Sequence, residues 1–210
     1  MTAQSILFPE IEALVSGFNF ENISSERKKI LQPLIDYIQS KYDENTEVRL
    51  NFICTHNSRR SHFSQIWSQA AAAYYDIKNV FCYSGGTEAT TLFPTVVKTL
   101  ENNGLKIMTL SNQNNTVYAV KYAQSAHPVI GFSKVYDNDF NPQSGFAAVM
   151  TCSQADEGCP FVAGAEKRIP ITFEDPKVYD NTPQNIEMYH RKSLEIATDF
   201  FYVFSQIKRK

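Results

Sequence analysis

The sequence lacks both a long apolar run and an excess of either charge. No stretch approaches the length of about 20 apolar residues that a membrane-spanning helix needs. The formal net charge of the 210 residues is -2. These absences argue against membrane and nucleic-acid partners, which are attracted by an apolar segment or a basic surface. Any site for an anion must therefore be built locally.

The start of the chain lacks the basic residues and the apolar stretch of a signal peptide. Cysteine is scarce, with four in the chain. Cysteines without a secretory signal indicate a reducing compartment, where they are free, catalytic or redox-active more often than they form structural disulfides. We therefore expect a cytoplasmic protein.

Hydrophobic periodicity divides the chain into a helical start and an α/β main part. Residues 1–44 carry apolar stripes at helical spacing and are predicted to form an N-terminal helical extension. Residues 45–210 are predicted to form the catalytic domain. A strand from Val48, an amphipathic helix and a second strand that ends at Gly86 follow one another within about forty residues. This order is typical of a βαβ unit with parallel strands.

Three later segments complete the predicted architecture. Residues 116–122 and 129–136 have the composition of two strands around a polar turn, so we expect an inserted β-hairpin. Residues 146–150 are continuously apolar, as in a buried central strand. Residues 151–182 are predicted to be one long loop, which in a compact domain is usually functional or disordered. An amphipathic helix over 184–207 closes the chain.

The loop after the first strand carries the clearest chemistry. It places Cys54 at the carboxyl end of the strand and Arg60 six residues later, where a helix begins. Ligands bind at this edge of open α/β sheets, because loop N–H groups and the helix dipole favour an anion there. Arg60 can offer a planar fork to two oxyanion oxygens, and the same field favours a nucleophilic thiolate at Cys54. The predicted oxyanion-binding residues are Thr55, His56, Asn57, Ser58, Arg59, Arg60 and Ser61.

The alternative without a functional site is a buried cysteine followed by a solvated turn, because free cysteine is commonly a small core residue. Two further residues argue against it. Asn57 tolerates left-handed backbone angles and can both donate and accept hydrogen bonds, so it can brace the loop. Ser61 can donate a hydrogen bond to the thiolate of Cys54.

With these residues the chain resembles the family of low-molecular-weight tyrosine phosphatases and thioredoxin-coupled arsenate reductases. The family signature Cys-x-x-Asn-x-x-Arg-Ser is matched by Cys54, Asn57, Arg60 and Ser61. The family's Ser-x-Gly on the second strand is similar to Ser84-Gly85-Gly86. The resemblance covers Val48 to about Asp175 and the closing helix. It implies a three-layer α/β fold around a mostly parallel four-stranded sheet, to which the helical extension and the hairpin are additions.

A second cysteine pair, Cys152 and Cys159, follows the buried strand. It is similar to the redox segment of the arsenate reductases, in which two cysteines seven positions apart flank an acidic stretch. Tyrosine phosphatases generally lack this pair. The resemblance implies that Cys54 attacks arsenate and that Cys152 then attacks Cys54 and releases arsenite. Cys159 would finally move the disulfide to where a reductant can reach it, each step being thiolate attack on sulfur.

The resemblance also implies an external thiol reductant, thioredoxin or glutaredoxin, and no bound cofactor or metal. Two alternatives exist for the cysteine pair. A zinc site is disfavoured because structural zinc usually needs Cys-x2–4-Cys and a second pair. Two unrelated loop cysteines remain the other hypothesis.

Asp175-Pro176 is similar to the motif that carries the family's general acid. The resemblance implies that Asp175 protonates the leaving oxygen; the alternative is a turn residue. Lys177 and Val178 follow where phosphatases usually have aromatic residues, which weakens the phosphotyrosine hypothesis. Arg59 stands where many family members have a second loop cysteine.

Three functions follow as hypotheses. The first is arsenate reduction through the thiol relay. The second is a low-molecular-weight phosphatase that hydrolyses phosphomonoesters through a cysteinyl-phosphate. The third is a non-catalytic protein that binds an oxyanion or a partner.

Overall fold

The computed structural model describes residues 6–111 and 113–209. Its elements alternate between helices and strands after a helical start. In chain order they are α1 (Pro9–Ser16), a 3₁₀ turn (Phe20–Asn22), α2 (Ser25–Asp43), β1 (Val48–Cys54), α3 (Arg60–Tyr74), β2 (Val80–Gly86), α4 (Pro94–Asn102), β3 (Lys106–Thr109), β4 (Tyr118–Lys121), β5 (Val129–Gly131), β6 (Phe146–Met150), α5 (Ser153–Gly158), β7 (Ala165–Pro170), a second 3₁₀ turn (Pro176–Tyr179) and α6 (Asn185–Ser205).

The main sheet is parallel and has the strand order β2-β1-β6-β7. Its central strands are buried on both faces, and their side chains alternate between two apolar clusters. Phe52 and Val149 face the large cluster that α1, α2, α3, α4 and α6 cover, whereas Ile53 and Met150 face a smaller one that includes Ala155 of α5. This arrangement confirms the predicted α/β fold around a four-stranded parallel sheet.

The predicted hairpin is part of a second, antiparallel sheet with the order β3-β4-β5. Its two strands are shorter than expected, Tyr118–Lys121 and Val129–Gly131. The third strand, Lys106–Thr109, was missed because three of its four side chains are exposed and show no buried alternation. β3 follows α4 directly in the chain and pairs with β4, for example at Thr109 and Tyr118, so the inserted sheet begins next to the end of α4.

The prediction of one long loop over 151–182 was wrong. The segment contains α5, β7 and the second 3₁₀ turn. β7 is an edge strand with one fully buried side chain, Ile169, so it lacks the apolar signal of a central strand. α5 has six residues, too few for a helical period to be visible in the sequence.

The first two helices share the large apolar cluster with the sheet. Ile11, Leu31 and Leu34 are fully buried in it, and Arg27 forms an ion pair of 2.8 Å with Asp199 of α6. The division into 1–44 and 45–210 stays a prediction, and residues 1–5, 112 and 210 lie outside the described residues. Within the described ranges, no helix combines the length and the apolar character that crossing a bilayer would demand.

Candidate active site

The loop between β1 and α3 turns its carbonyl groups outward. The carbonyl oxygens of residues 55, 56, 57 and 58 accept hydrogen bonds, in that order, from the Glu88 N–H at 2.8 Å, the Ser133 hydroxyl at 3.0 Å, His62 Nε2 at 2.9 Å and the Phe93 N–H at 3.1 Å. The N–H groups of residues 55–59 donate no hydrogen bond within the described part of the chain. Consecutive free N–H groups beside a helix N-terminus form a concavity that favours an anion.

Cys54 lies at the base of this loop and is buried, with 3% of its surface exposed. Its Sγ is 3.1 Å from the Oγ of Ser61, and Asn57 Nδ2 donates to that same Oγ at 2.9 Å. Because Asn57 occupies an acceptor site of the hydroxyl, the Ser61 proton is free to point at sulfur. A hydrogen bond in that direction stabilises a thiolate.

Asn57 braces the loop in the conformation that its position in the motif predicts. Its φ of 42° lies in the left-handed region, which asparagine adopts more readily than most residues. Its Oδ1 also accepts from the backbone N–H of Lys134 at 2.9 Å. One side chain thus connects the loop, Ser61 and the segment after β5.

Gly86 at the end of β2 lets the loop pass close to the neighbouring strand. It lies opposite Cys54 in the parallel register. A Cβ on Gly86 would lie 2.7 Å from both the nitrogen of Asn57 and the carbonyl oxygen of Thr55. Such contacts are too short for any side chain, so the backbone approach requires glycine.

Arg60 and Asp175 meet beside the loop. Arg60 Nη2 forms an ion pair of 2.5 Å with Asp175 Oδ2, and its Nη1 donates to the Phe173 carbonyl at 2.9 Å. The other Asp175 oxygen accepts from the Lys177 N–H at 3.0 Å, so this residue also caps the 3₁₀ turn. A cavity of 470 Å³ opens here, lined by Thr55, His56, Arg60, Gln154, Asp175, Lys177 and Val178.

Arg59 is one of the predicted oxyanion-binding residues, but its side chain is engaged outside the cavity. Its guanidinium points away from the cavity, with Nε 2.5 Å from the Tyr189 hydroxyl and Nη2 2.6 Å from Asp180 Oδ2. It also stacks over the ring of Phe93 at 4.0 Å. In this position only the backbone N–H of Arg59 can serve an oxyanion. His56 lies at the cavity rim, with its Nε2 3.7 Å from Glu88.

Cys152 follows β6, the strand that lies next to β1 in the sheet, and β1 ends at Cys54. Ile53 and Met150 are direct neighbours in the register, and the Thr151 N–H donates to the Ile53 carbonyl at 2.7 Å. Adjacent strands are about 4.8 Å apart, so the two cysteines emerge side by side at one sheet edge. Cys152 is fully buried, and its Sγ is 3.4 Å from the hydroxyl of Thr55.

Cys159 is half-buried at the other end of α5, and both cysteines are free. Cys152 is the N-cap of this helix and Cys159 is its C-cap. Seven residues of helix span about 10 Å, and a disulfide needs Cα atoms within about 7 Å. A bond between these two cysteines therefore requires α5 to unwind. Arg168 holds the helix end, because its Nε donates to the Cys159 carbonyl at 2.9 Å.

The comparisons with known proteins find relatives of the kind that the motif resembles. No family model matches the chain. It is 29% identical to "Arsenate reductase 2" of Staphylococcus epidermidis over 125 residues, which are 60% of this chain and 76% of the relative. It is 28% identical to an arsenate reductase of Staphylococcus aureus over 131 residues, 62% of this chain and 80% of the relative. The chain is similar to arsenate reductases.

The fold agrees with this similarity to arsenate reductases. The crystal structure of a mutant of YwlE from Bacillus subtilis superposes on the chain with a TM-score of 0.50 and 15% identity. The superposition covers 78% of this chain and 100% of that one. At such an identity the likeness shows the fold alone. Together with the curated relatives it confirms the resemblance to arsenate reductases and low-molecular-weight phosphatases. The roles of individual residues stay predictions.

Two buried residues behind the loop were not predicted. His62 is bonded at both ring nitrogens: Nε2 donates to the Asn57 carbonyl, and Nδ1 accepts from the Ser84 hydroxyl at 3.4 Å. Burial, and then the charge of Lys134, lower the pKa of His62 to about 3. Burial also lowers the pKa of Lys134 to about 7. The place of His62 directly after the motif serine was a usable signal, but nothing local to Lys134 indicated its contact with the loop.

The described residues contain no group of three or more histidine, cysteine, aspartate or glutamate side chains arranged to hold a metal ion. Cys82, the remaining cysteine, is buried in β2, and burial raises its thiol pKa. It lies away from the loop and serves as an internal reference for an inert thiol.

Proposed function

We propose that this protein reduces arsenate to arsenite by a cysteine thiol relay on a phosphatase-like oxyanion loop. The observation that carries the proposal is a juxtaposition. The loop that follows Cys54 has N–H groups at residues 55–59 that donate no hydrogen bond, and a second buried thiol, Cys152, follows the adjacent strand. The relatives named arsenate reductases support the same chemistry.

Arsenate binding would use the N–H groups of the loop and the fork of Arg60. An oxyanion in the cavity competes with Asp175 for Nη2 of Arg60, because both are anions that match the guanidinium. The exchange frees the Asp175 carboxyl to face the oxyanion. Thr55, His56 and Ser58 would contribute through the backbone, whose carbonyls are all fixed from outside the loop.

The first chemical step would be attack of the Cys54 thiolate on arsenic. A sulfur–arsenic bond forms and an arsenic–oxygen bond breaks. Asp175 gives the leaving oxygen a proton, so that oxygen departs as water. Ser61 stabilises the attacking thiolate before the step.

The second step would reduce arsenic. The Cys152 thiolate attacks Sγ of Cys54, and the electron pair of the sulfur–arsenic bond passes to arsenic, which leaves as arsenite. Cys159 then attacks Cys152 and regenerates the Cys54 thiolate, as an exchange of thiol for disulfide. The resulting Cys152–Cys159 disulfide needs α5 to unwind, and an external dithiol such as thioredoxin or glutaredoxin would reduce it.

The test is steady-state arsenate reduction with thioredoxin, thioredoxin reductase and NADPH, repeated with glutaredoxin and glutathione. We expect turnover in the wild type and in Cys82→Ser, and none in Cys54→Ser or Cys152→Ser. Cys82→Ser is the matched control because Cys82 is a buried thiol outside the relay. An inactive wild type with both reductants would refute the proposal, and phosphate binding without any turnover would favour a non-catalytic oxyanion-binding protein.

Phosphomonoester hydrolysis is the second candidate, because Cys54, Arg60 and Asp175 suffice for a cysteinyl-phosphate. Lys177 and Val178 line the cavity where an aryl group would need an aromatic surface, and no phenylalanine, tyrosine or tryptophan lines it within the described residues. We therefore expect weak hydrolysis of aryl phosphates. Hydrolysis that persists in Cys152→Ser, without arsenite production by the wild type, would make this the main activity.

A further inference from the structure

Two consecutive arginines of the loop hold the two ends of one short segment. The segment is the 3₁₀ turn Pro176–Tyr179 with the aspartate on either side of it. Arg60 pairs with Asp175 before the turn at 2.5 Å, and Arg59 pairs with Asp180 after the turn at 2.6 Å. The oxyanion loop and the segment that carries the proposed acid are thus joined at two points, by neighbouring residues of the loop.

We propose that Arg59 and Asp180 are positioning residues, which keep the Asp175 segment over the loop while Arg60 binds the oxyanion. This inference rests on the proposed function, because Asp175 is the proton donor only there. It assigns different tasks to the two arginines. Arg60 exchanges Asp175 for the substrate, and Arg59 does not move.

The contacts of Arg59 fit a fixed structural link. Its side chain is 10% exposed and that of Asp180 is 16% exposed. Tyr189 accepts from Arg59 Nε at 2.5 Å and donates to Asp180 Oδ1 at 2.6 Å, so the three side chains close a ring of hydrogen bonds. Phe93 stacks on the guanidinium at 4.0 Å and also stacks on Tyr189 at 5.9 Å. Planar stacking and a bidentate fork are properties of arginine that lysine does not share.

Arg60 cannot perform this task during catalysis. Its Nη2 contacts Asp175 directly, and the oxyanion would take the same donor. Once that ion pair is exchanged, the turn keeps its internal hydrogen bonds, from the Lys177 N–H to Asp175 and from the Asp180 N–H to the Lys177 carbonyl. Neither of these bonds attaches the turn to the loop. The pair of Arg59 and Asp180 is the charged link that persists.

Replacement of Arg59 by methionine tests the inference. Methionine keeps an unbranched side chain but removes the charge and the donors. We expect hydrogen exchange of the amides in 177–180 to become at least about tenfold faster, because local opening loses a buried charged link. The single-turnover rate of arsenite formation should fall about 10- to 100-fold, as for a misplaced catalytic group. The dissociation constant for inorganic phosphate should change less than about threefold, because the N–H groups and Arg60 remain.

Three further variants separate positioning from a general loss of structure. Arg59→Lys should recover only part of the rate, because it restores the charge without the fork. Asp180→Asn should reproduce the effects of Arg59→Met from the other side of the pair, and it replaces Arg59→Met if that variant does not fold. Arg191→Met is the control, because Arg191 forms an exposed ion pair with Glu187 on α6 and does not contact the loop.

Two outcomes would overturn the inference. One is unchanged exchange in 177–180 together with unchanged turnover in both Arg59→Met and Asp180→Asn. The other is loss of phosphate binding with the exchange of that segment unchanged, which would make Arg59 an anion ligand. The exchange measurement does not depend on activity. A wild type that fails to reduce arsenate would therefore refute the proposed function while the exchange data still decide whether Arg59 holds the segment.

Discussion

Replacing Arg168 by methionine should loosen α5 and expose Cys152. Arg168 reaches from β7 to the end of this helix, where Nε donates to the Cys159 carbonyl at 2.9 Å and Nη2 donates to the Asp156 carbonyl. Nη2 also forms an ion pair of 2.5 Å with the Asp156 carboxylate. Cys152 is fully buried at the start of α5, where its Sγ accepts from the Ala155 N–H at 3.3 Å. A reagent can therefore reach its sulfur only when the helix opens.

The size of the effect follows from these contacts. Hydrogen bonds to a charged group contribute about 1.5–3 kcal/mol each when buried. The side chains of Arg168 and Asp156 are 27% and 29% exposed, so solvent screens part of the interaction. We take about 1.5–2.5 kcal/mol for the whole set. At about 1.4 kcal/mol per factor of ten, the population of the open helix should rise about 10- to 70-fold.

The assay is alkylation of Cys152 by iodoacetamide when it is the sole thiol, with Cys54, Cys82 and Cys159 replaced by serine. When opening is fast compared with labelling, the rate is proportional to the open population. Arg168→Met should raise the rate by the factor above. The matched control is Arg49→Met, because Arg49 forms an exposed ion pair with Glu47. Equal rates with and without Arg168 would show that this arginine does not hold α5 closed.

Three further predictions concern the support of the loop. The pKa of His62 is about 3 in the folded protein, against an ordinary value of 6.5 for histidine. Between these two pH values His62 binds a proton in the unfolded chain but not in the folded protein. The free energy of unfolding therefore falls as the pH drops below 6.5, by about 2 kcal/mol at pH 5. Urea unfolding should show this dependence of the unfolding free energy on pH in the wild type and a weaker one in His62→Gln. Equal dependence in the two proteins would contradict the prediction. Asn57→Ala should weaken phosphate binding at least about tenfold by calorimetry, because it removes the brace of Ser61 and strains a left-handed residue. Gly86→Ala should lower the free energy of unfolding by about 1–3 kcal/mol, because its Cβ collides with loop backbone; a stability equal to that of the wild type would refute the close approach.

The centre of the fold could be predicted because its signals are local. β6 is buried throughout and its apolar run is continuous in the sequence, whereas in β1 the apolar Val48, Leu50 and Phe52 alternate with Arg49 and Asn51. The helix between β1 and β2 has an amphipathic period, and its start coincides with the arginine of the motif. A parallel arrangement then follows from connectivity. These rules also place Cys54 at the ligand-binding edge before any side chain is located.

The edges of the fold could not be predicted, because their stability comes from partners far away in the chain. β3 and β7 are mostly exposed and pair with strands on one side only, so their sequences resemble loops. The contacts of the Arg59 side chain could not be predicted for a related reason. Its partner Asp180 is 121 residues away. The sequence shows that Arg59 lies in the loop but not which carboxylate the fold brings to it.

The relay as a whole is tested most directly by a single turnover without any reductant. Fully reduced protein is desalted under anaerobic conditions and mixed with excess arsenate. Arsenite is then quantified, and the disulfides are mapped by mass spectrometry. The account predicts about one arsenite per chain and a disulfide between Cys152 and Cys159, because two thiols supply the two electrons. Cys152→Ser should form no such disulfide and release no arsenite. A wild type that releases no arsenite and keeps all its thiols free would contradict the account.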